Sequence, residues 1–314
     1  RPGTDGVAPV TQTPSAPLPD LSVIVPAVNG IEILLECIEA LRQAATGGIR
    51  LEILVVERCG ETVRRHLAVQ APDALVLPVS PATSIPRMRA IGFRHARAAA
   101  VAVIEDHVLV PADWAHKLLA SLHSGADVVG GSIHNEATTT LVDRAAFLCE
   151  YSHLLMPAAG TAVHSLPGNN VVYRRACADP YVTLLDEGRW EDQFHQAMRR
   201  DGIALTSRPD IVVRHKMHYS MMEYLSQRFL YSRALAGMKR ADMPMAERAL
   251  RAVGSFALPP ILLARIIRRV RASGRHRREL VPALPLLAMF VGAWAAGEAV
   301  GYATGAGDAM ARVR

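Results

Sequence analysis

The first apolar run, Leu21–Pro26, is followed by Ile31–Ala45, in which Ile31, Leu34, Leu35, Ile38 and Leu41 recur at helical spacing. An unbroken apolar run of this length predicts a strand buried on both faces of a parallel sheet. Leu51–Val56 repeats the pattern and ends at Glu57. A shorter strand is predicted at Ala74–Pro78 and a helix over Arg87–Ala99, and Val101–Ile104 then runs into Glu105-Asp106-His107. Strands alternating with helices predict an α/β fold with a doubly wound sheet. Ligands of such sheets bind beyond the carboxyl ends of the strands, so Asn29, Glu57 and Glu105-Asp106-His107 are expected to face one crevice.

The second half is more mixed. Helices are predicted over Trp114–His123, Leu141–Leu155, Trp190–Arg200 and Met221–Lys239. Strands are predicted over Asp127–Ile133, Asn169–Arg174, Ile203–Ser207 and Ile211–Arg214, the last leading into His215. From about residue 251 the pattern changes: Val253–Ile267 is apolar but broken by Pro259-Pro260 and Arg265, and Leu280–Gly305 carries Glu298 as its one charge. The second run exceeds the roughly 20 residues that a bilayer crossing needs, and the first reads as an interfacial or re-entrant segment. The alternative is a pair of core helices. Arg265, Arg268, Arg269, Arg271, Arg275, Arg277 and Arg278 lie along or between the two runs and favour the cytoplasmic side and anionic lipid.

Composition narrows the partners. The 314 residues carry a formal net charge of +6, much of the excess in that arginine stretch, and this points to lipid before nucleic acid. No nucleic-acid-binding motif is present, so no nucleic acid partner is expected. Cys37, Cys59, Cys149 and Cys177 form no CxxC pattern and no dense disulfide framework, which predicts reduced thiols.

The candidate chemistry begins at Glu105-Asp106-His107, where two acids and an imidazole end an apolar strand. Carboxylates in that position suit Mg²⁺ or Mn²⁺ bridging a nucleotide diphosphate, and the imidazole shifts the choice toward Mn²⁺. An acidic strand terminus opening a loop is the plainer alternative.

The order of motifs resembles the family 2 glycosyltransferases of GT-A fold. The resemblance is carried by Ser22-Val23-Ile24-Val25-Pro26 with Asn29, by Glu52–Glu57, by Arg89-Ala90-Ile91-Gly92, and by Glu105-Asp106-His107 at the family's Asp-x-Asp position. It continues through Pro167-Gly168-Asn169-Asn170, Trp190-Glu191-Asp192-Gln193 and, loosely, Gln227–Arg233, so that it spans about residues 21–237. It implies inverting sugar transfer from a nucleotide-diphosphate sugar. The donor side would comprise Pro26, Asn29, Glu57, Arg89, Glu105 and Asp106, and the acceptor side Gly168, Asn169 and Asn170. Mn²⁺ or Mg²⁺ would be held by Asp106 and His107, with His215 approaching it, and Asp192 would be the general base ahead of Glu191. Glu191 and Asp192 alternatively favour only the positive end of a helix dipole. Arg228 and Arg233 suit phosphate, the surface or lipid equally.

Two departures stand out. The family's acidic residues after the second strand are here Glu57-Arg58, and the metal motif is Glu-Asp-His. The expected organisation is a flexible Pro-rich lead-in over 1–20, a cytoplasmic catalytic domain over 21–245, and a membrane-associated helical segment over 246–314 acting on a lipid-linked or envelope saccharide acceptor. The rival readings are a non-catalytic membrane-bound scaffold and a nucleotidyltransferase. The latter is disfavoured because Pro26-Ala27-Val28-Asn29-Gly30 lacks the basic, glycine-rich loop such enzymes carry.

Overall fold

The computed structural model describes residues 17–45, 47–155, 163–240 and 243–314. The expected lead-in lies almost wholly outside the described residues.

Eight strands, β1 (Leu21–Ala27), β2 (Leu51–Glu57), β3 (Leu75–Pro78), β4 (Ala100–Val103), β5 (Val108–Leu109), β6 (Val128–Asn135), β7 (Val171–Arg174) and β8 (Leu205–His215), form one sheet in the order β3-β2-β1-β4-β7-β6-β8-β5. The helices are α1 (Ile31–Ala44), α2 (Glu61–Gln70), α3 (Ile85–His95), α4 (Trp114–His123), α5 (Leu141–Tyr151), α6 (Arg175–Ala178), α7 (Val182–Asp186), α8 (Glu191–Arg200), α9 (Met221–Lys239), α10 (Met245–Gly254), α11 (Leu258–Ser273), α12 (Arg277–Thr304) and α13 (Ala309–Arg312). Pairings among β1–β4 are parallel, whereas β7 runs antiparallel to both β4 and β6. The sheet is therefore mixed, with helices packed on it as the α/β pattern predicted.

All seven residues of β1 are buried, and successive residues face opposite layers. Val23 and Val25 join the core beneath α1, while Ile24 joins the core beneath α3. Gly92 brings α3 close to the sheet, because a Cβ there would stand 2.4 Å from Ile24 Cγ2.

Two details depart from the sequence reading. Ile203–Ser207 and Ile211–Arg214 are one strand, β8, in which a register shift opposite Gly130–Ser132 absorbs Pro209. The two-residue β5 pairs with the end of β8, Val108 opposite His215, and draws the loop after β4 toward that strand.

The late apolar runs form α10 to α12. Pro259 and Pro260 sit in the first turn of α11, where a missing N–H costs nothing, so they start a helix instead of breaking one. By length and composition, Met245–Ser273 and Arg277–Thr304 could each cross a membrane. The second is also a packing helix. Leu280, Leu287 and Phe290 enter a core shared with Tyr224 and residues of α5. A Cβ on Gly297 would lie 2.2 Å from the Phe229 carbonyl of α9.

Candidate active site

The loop after β4 sets the centre of the site. Asp106 is fully buried, with one oxygen accepting from the amides of Val28 (2.7 Å) and Asn29 (2.9 Å) and the other from Asn29 Nδ2 (2.8 Å). It therefore ties the turn after β1 to the end of β4. The same carboxylate lies 3.0 Å from His107 Nδ1 and fixes that ring. The other ring nitrogen, Nε2, stands 3.0 Å from His215 Nε2, where β5 and β8 meet, and 3.4 Å from Glu105 Oε2.

Glu105, His107 and His215 thus offer ligand atoms within 4.8 Å of one another. Glu105, and not Asp106, shares this spacing with the two imidazoles, because both Asp106 oxygens are hydrogen-bonded behind the His107 ring. Asp106 likewise has no free face for a donor nucleotide.

Charge in the cluster follows from these contacts. Burial opposes ionisation of Glu105, yet the His107 hydrogen bond and the charges of His107 and Arg89 hold its pKa down at about 2. Burial also opposes charge on His107, but its bonds to Asp106 and Glu105 raise it to about 10. Burial and the charge of His107 push His215 down to about 3. His107 Nε2 therefore faces both His215 Nε2 and the Glu105 carboxylate, and the buried His215 Nδ1 has no partner among the described residues. Two imidazole nitrogens and a carboxylate in this spacing fit a divalent cation of the Mn²⁺ type, which would take the place of the His107 proton.

Arg89 links this cluster to the next element. The guanidinium, 2% exposed, reaches Glu105 at 3.4 Å and pairs with Glu191 in the first turn of α8. It is a strut between two site elements and not an exposed helix arginine. Glu191 is committed to Arg89, although burial raises its pKa. Its neighbour Asp192 is exposed and among the described residues accepts a side-chain hydrogen bond only from Ser165 Oγ, at 2.8 Å. Gly168 brings the β7 approach against this turn, since a Cβ there would meet the Glu191 carboxylate at 2.5 Å.

The two asparagines part in the same way as Glu105 and Asp106. Asn169 donates to Glu105 Oε2 (2.9 Å) and Tyr151 Oη (3.0 Å) and has an unpartnered buried oxygen. Asn170 is fully buried, donates to the carbonyls of Ser132 and Ile211, and accepts from Trp114 Nε1, so it is a scaffold residue and cannot meet an acceptor. Glu57 is also fully buried, accepting from Gly60 N and Arg64, and caps the turn into α2. Pro26 lies buried in β1 opposite Val56.

A cavity of about 300 Å³ opens beside these residues, with Glu105, Asn169, Glu191 and Asp192 on one wall and Arg228, Arg265, Arg269 and Trp294 on another. The second wall comes from α9, α11 and α12; the sequence reading offered Arg228 to phosphate but did not bring Arg265, Arg269 or Trp294 to it. Arg58, where an acid was expected, instead donates to the carbonyls of Thr83, Ala311 and Val313 and clamps α13 beside the cleft.

Residues 22–179, half of the chain, match the family described as Glycosyl transferase family 2. The solved structure of S. aureus TarS 1-349 is similar at 13% identity and a TM-score of 0.48, over 89% of this chain and 90% of that one. No curated protein matches. The matched segment holds Glu105, His107, Arg89 and Gly92, while His215 and Glu191 lie beyond it, and the chain belongs to glycosyl transferase family 2.

Proposed function

We propose that this glycosyltransferase moves a sugar from a nucleotide-diphosphate donor to an acceptor hydroxyl with inversion at the anomeric carbon. The observation that carries the reading is that Asp192 lines the same cavity as Glu105 of the Glu105–His107–His215 group and is unpaired with any cation among the described residues. Asp192 accepts the proton of the acceptor hydroxyl, whose oxygen bonds to the anomeric carbon as the bond from that carbon to the diphosphate oxygen breaks. Glu105, His107 and His215 would hold Mn²⁺ or Mg²⁺. When bound, the cation offsets charge on the departing diphosphate. Arg89 keeps α8 in register with the cation-binding loop, and Asn169 fixes the Glu105 carboxylate.

The acceptor is lipid-linked or an envelope saccharide, and the helices after residue 245 lie on the cytoplasmic face of a membrane. Seven large exposed apolar side chains support this: Met245, Leu250, Val253, Phe256, Ile261, Val281 and Met289 all belong to α10–α12 or the turn between them. Arginines flank them at the end of α11, the combination an anionic bilayer surface attracts. Packing of α12 against α9 and α5 favours helices that rest on the bilayer over an isolated span.

The test is donor turnover across a panel of nucleotide sugars with Mn²⁺ and with EDTA. One donor is expected to be consumed only with metal, and Asp192→Asn to lower turnover about 10²–10⁴-fold with nucleotide binding retained. Metal-independent turnover, or an unaffected Asp192→Asn variant, would sink the scheme.

A further inference from the structure

The basic wall of the cavity is not used in the scheme above, and among the described residues one long ion pair, Arg228 to Glu150, is its only pairing with an acid. The Arg228 side chain is 9% exposed, and among the described residues its Nε has no hydrogen-bond partner and its ion pair is with Glu150 at 3.9 Å. Burial pushes the Glu150 carboxyl toward its neutral form, against the pull of Arg228. The guanidinium is held in place by aromatic faces, with its carbon 4.9 Å from the Trp294 ring centre and 5.4 Å from that of Tyr231. Arg265 and Arg269, one turn apart on α11, line the same cavity. Neither forms an ion pair among the described residues. Burial and the charges of Arg265 and Arg268 lower the pKa of Arg269, the effect of like charges gathered on one helix.

Three guanidiniums around one cavity, one of them buried, call for an anion with several oxygens. A phosphate presents more acceptor oxygens and more charge than a carboxylate and matches the guanidinium fork. Next to them the lining is apolar, with Leu262 and Ile266 from α11 and Val291 from α12. These same helices carry the exposed apolar side chains on their outer faces. The cavity therefore joins the surface proposed to meet a membrane to the wall that carries Asp192.

We infer that the wall formed by Arg228, Arg265 and Arg269 is an acceptor subsite for a phosphate group attached to a lipid chain. The phosphate sits among the guanidiniums, the first carbons of the chain lie along Leu262, Ile266 and Val291, and the acceptor hydroxyl is presented to Asp192. This deepens the glycosyl-transfer reading and rests on its placement of the acceptor.

The test titrates the full chain with hexyl phosphate, hexanol and inorganic phosphate, followed by calorimetry and by tryptophan emission, which Trp294 beside Arg228 makes responsive. Parallel samples are titrated with nucleoside diphosphate and Mn²⁺, so that failure of the donor site is read separately. Hexyl phosphate is expected to bind at least tenfold more tightly than hexanol or inorganic phosphate. The R265A/R269A double variant should remove that advantage and leave nucleoside diphosphate binding unchanged. R265K/R269K, which keeps the charge without the fork, should recover part of it. Inorganic phosphate binding as tightly as hexyl phosphate would assign the anion to solution and overturn the lipid part. Equal binding of hexyl phosphate and hexanol, or a double variant that binds hexyl phosphate like the parent, would overturn the subsite.

Discussion

At the strand ends, Glu105 is met by Asn169, Arg89 and His107, and Asp106 by three donors from the Val28–Asn29 turn. Across the same cavity, Arg265 and Arg269 meet no acid among the described residues. The first region is organised before anything binds, since each charge is fixed by neighbours that cannot move without breaking the sheet. The second is a charged surface supplied by helices outside the family-matched segment. The proposed transfer chemistry and the proposed acceptor subsite lie on separate walls of one cavity, and the two walls should respond differently to substitution.

The largest expected effect separates two adjacent acids in the first region. Glu105→Gln removes a carboxylate from the cation-binding group and is expected to lower turnover about 10²–10³-fold per folded molecule, with a higher Mn²⁺ requirement. Asp106→Asn strips the acceptor from buried amides and puts an NH₂ against donors, at a cost of about 3 kcal/mol in stability. Mn²⁺ titrations of activity and urea unfolding of both variants check this. If Glu105→Gln proves the less stable of the two and keeps its Mn²⁺ response, the assignment of cleft and scaffold roles within the loop is reversed.

An intermediate effect tests how firmly the helical layer belongs to the catalytic fold. Gly297→Leu drives a side chain into the Phe229 carbonyl and Ser232 of α9, and overpacking of this kind costs about 1–3 kcal/mol. Gly292→Leu, on the same helix, points a side chain into open space and should be nearly neutral. Equal melting temperatures for the two would mean that α12 does not hold α9 in solution.

The sequence made the parallel half of the sheet legible because its strands are unbroken apolar runs, and β1, β2 and β4 lie within a residue of their expected bounds. The gross position of the site was legible for the same reason: polar residues end those strands. Local sequence did not reveal which member of each polar doublet enters the cleft. Glu105 and Asp106, or Asn169 and Asn170, are chemically close, and their fates depend on distant partners such as Asn29, Trp114 and Ile211. The basic wall was hidden differently. Arg228, Arg265 and Trp294 lie far apart in the chain, and only the packing of α9, α11 and α12 gathers them. Arg58 read as a lost acidic contact until the carbonyls of Ala311 and Val313 supplied its purpose.

The smallest expected effect concerns the outer face of that layer. Phe256 is 71% exposed in the short turn between α10 and α11, with Val253 and Leu250 exposed on the preceding helix. A soluble surface gains nothing from such a group, whereas burying a phenyl ring in the headgroup boundary stabilises contact by about 1.5–3 kcal/mol. Phe256→Ser is therefore expected to weaken binding to phosphatidylglycerol vesicles about tenfold, read by co-sedimentation, without changing the melting temperature. Leu75→Ser, 46% exposed on the opposite edge of the sheet, should change neither. Vesicles of neutral phosphatidylcholine should bind the parent protein more weakly, because the arginines at the end of α11 then lose their attraction. If Phe256→Ser binds anionic vesicles as the parent does, the exposed face of α10 and α11 does not meet the bilayer, and the route from membrane to Asp192 loses its entrance.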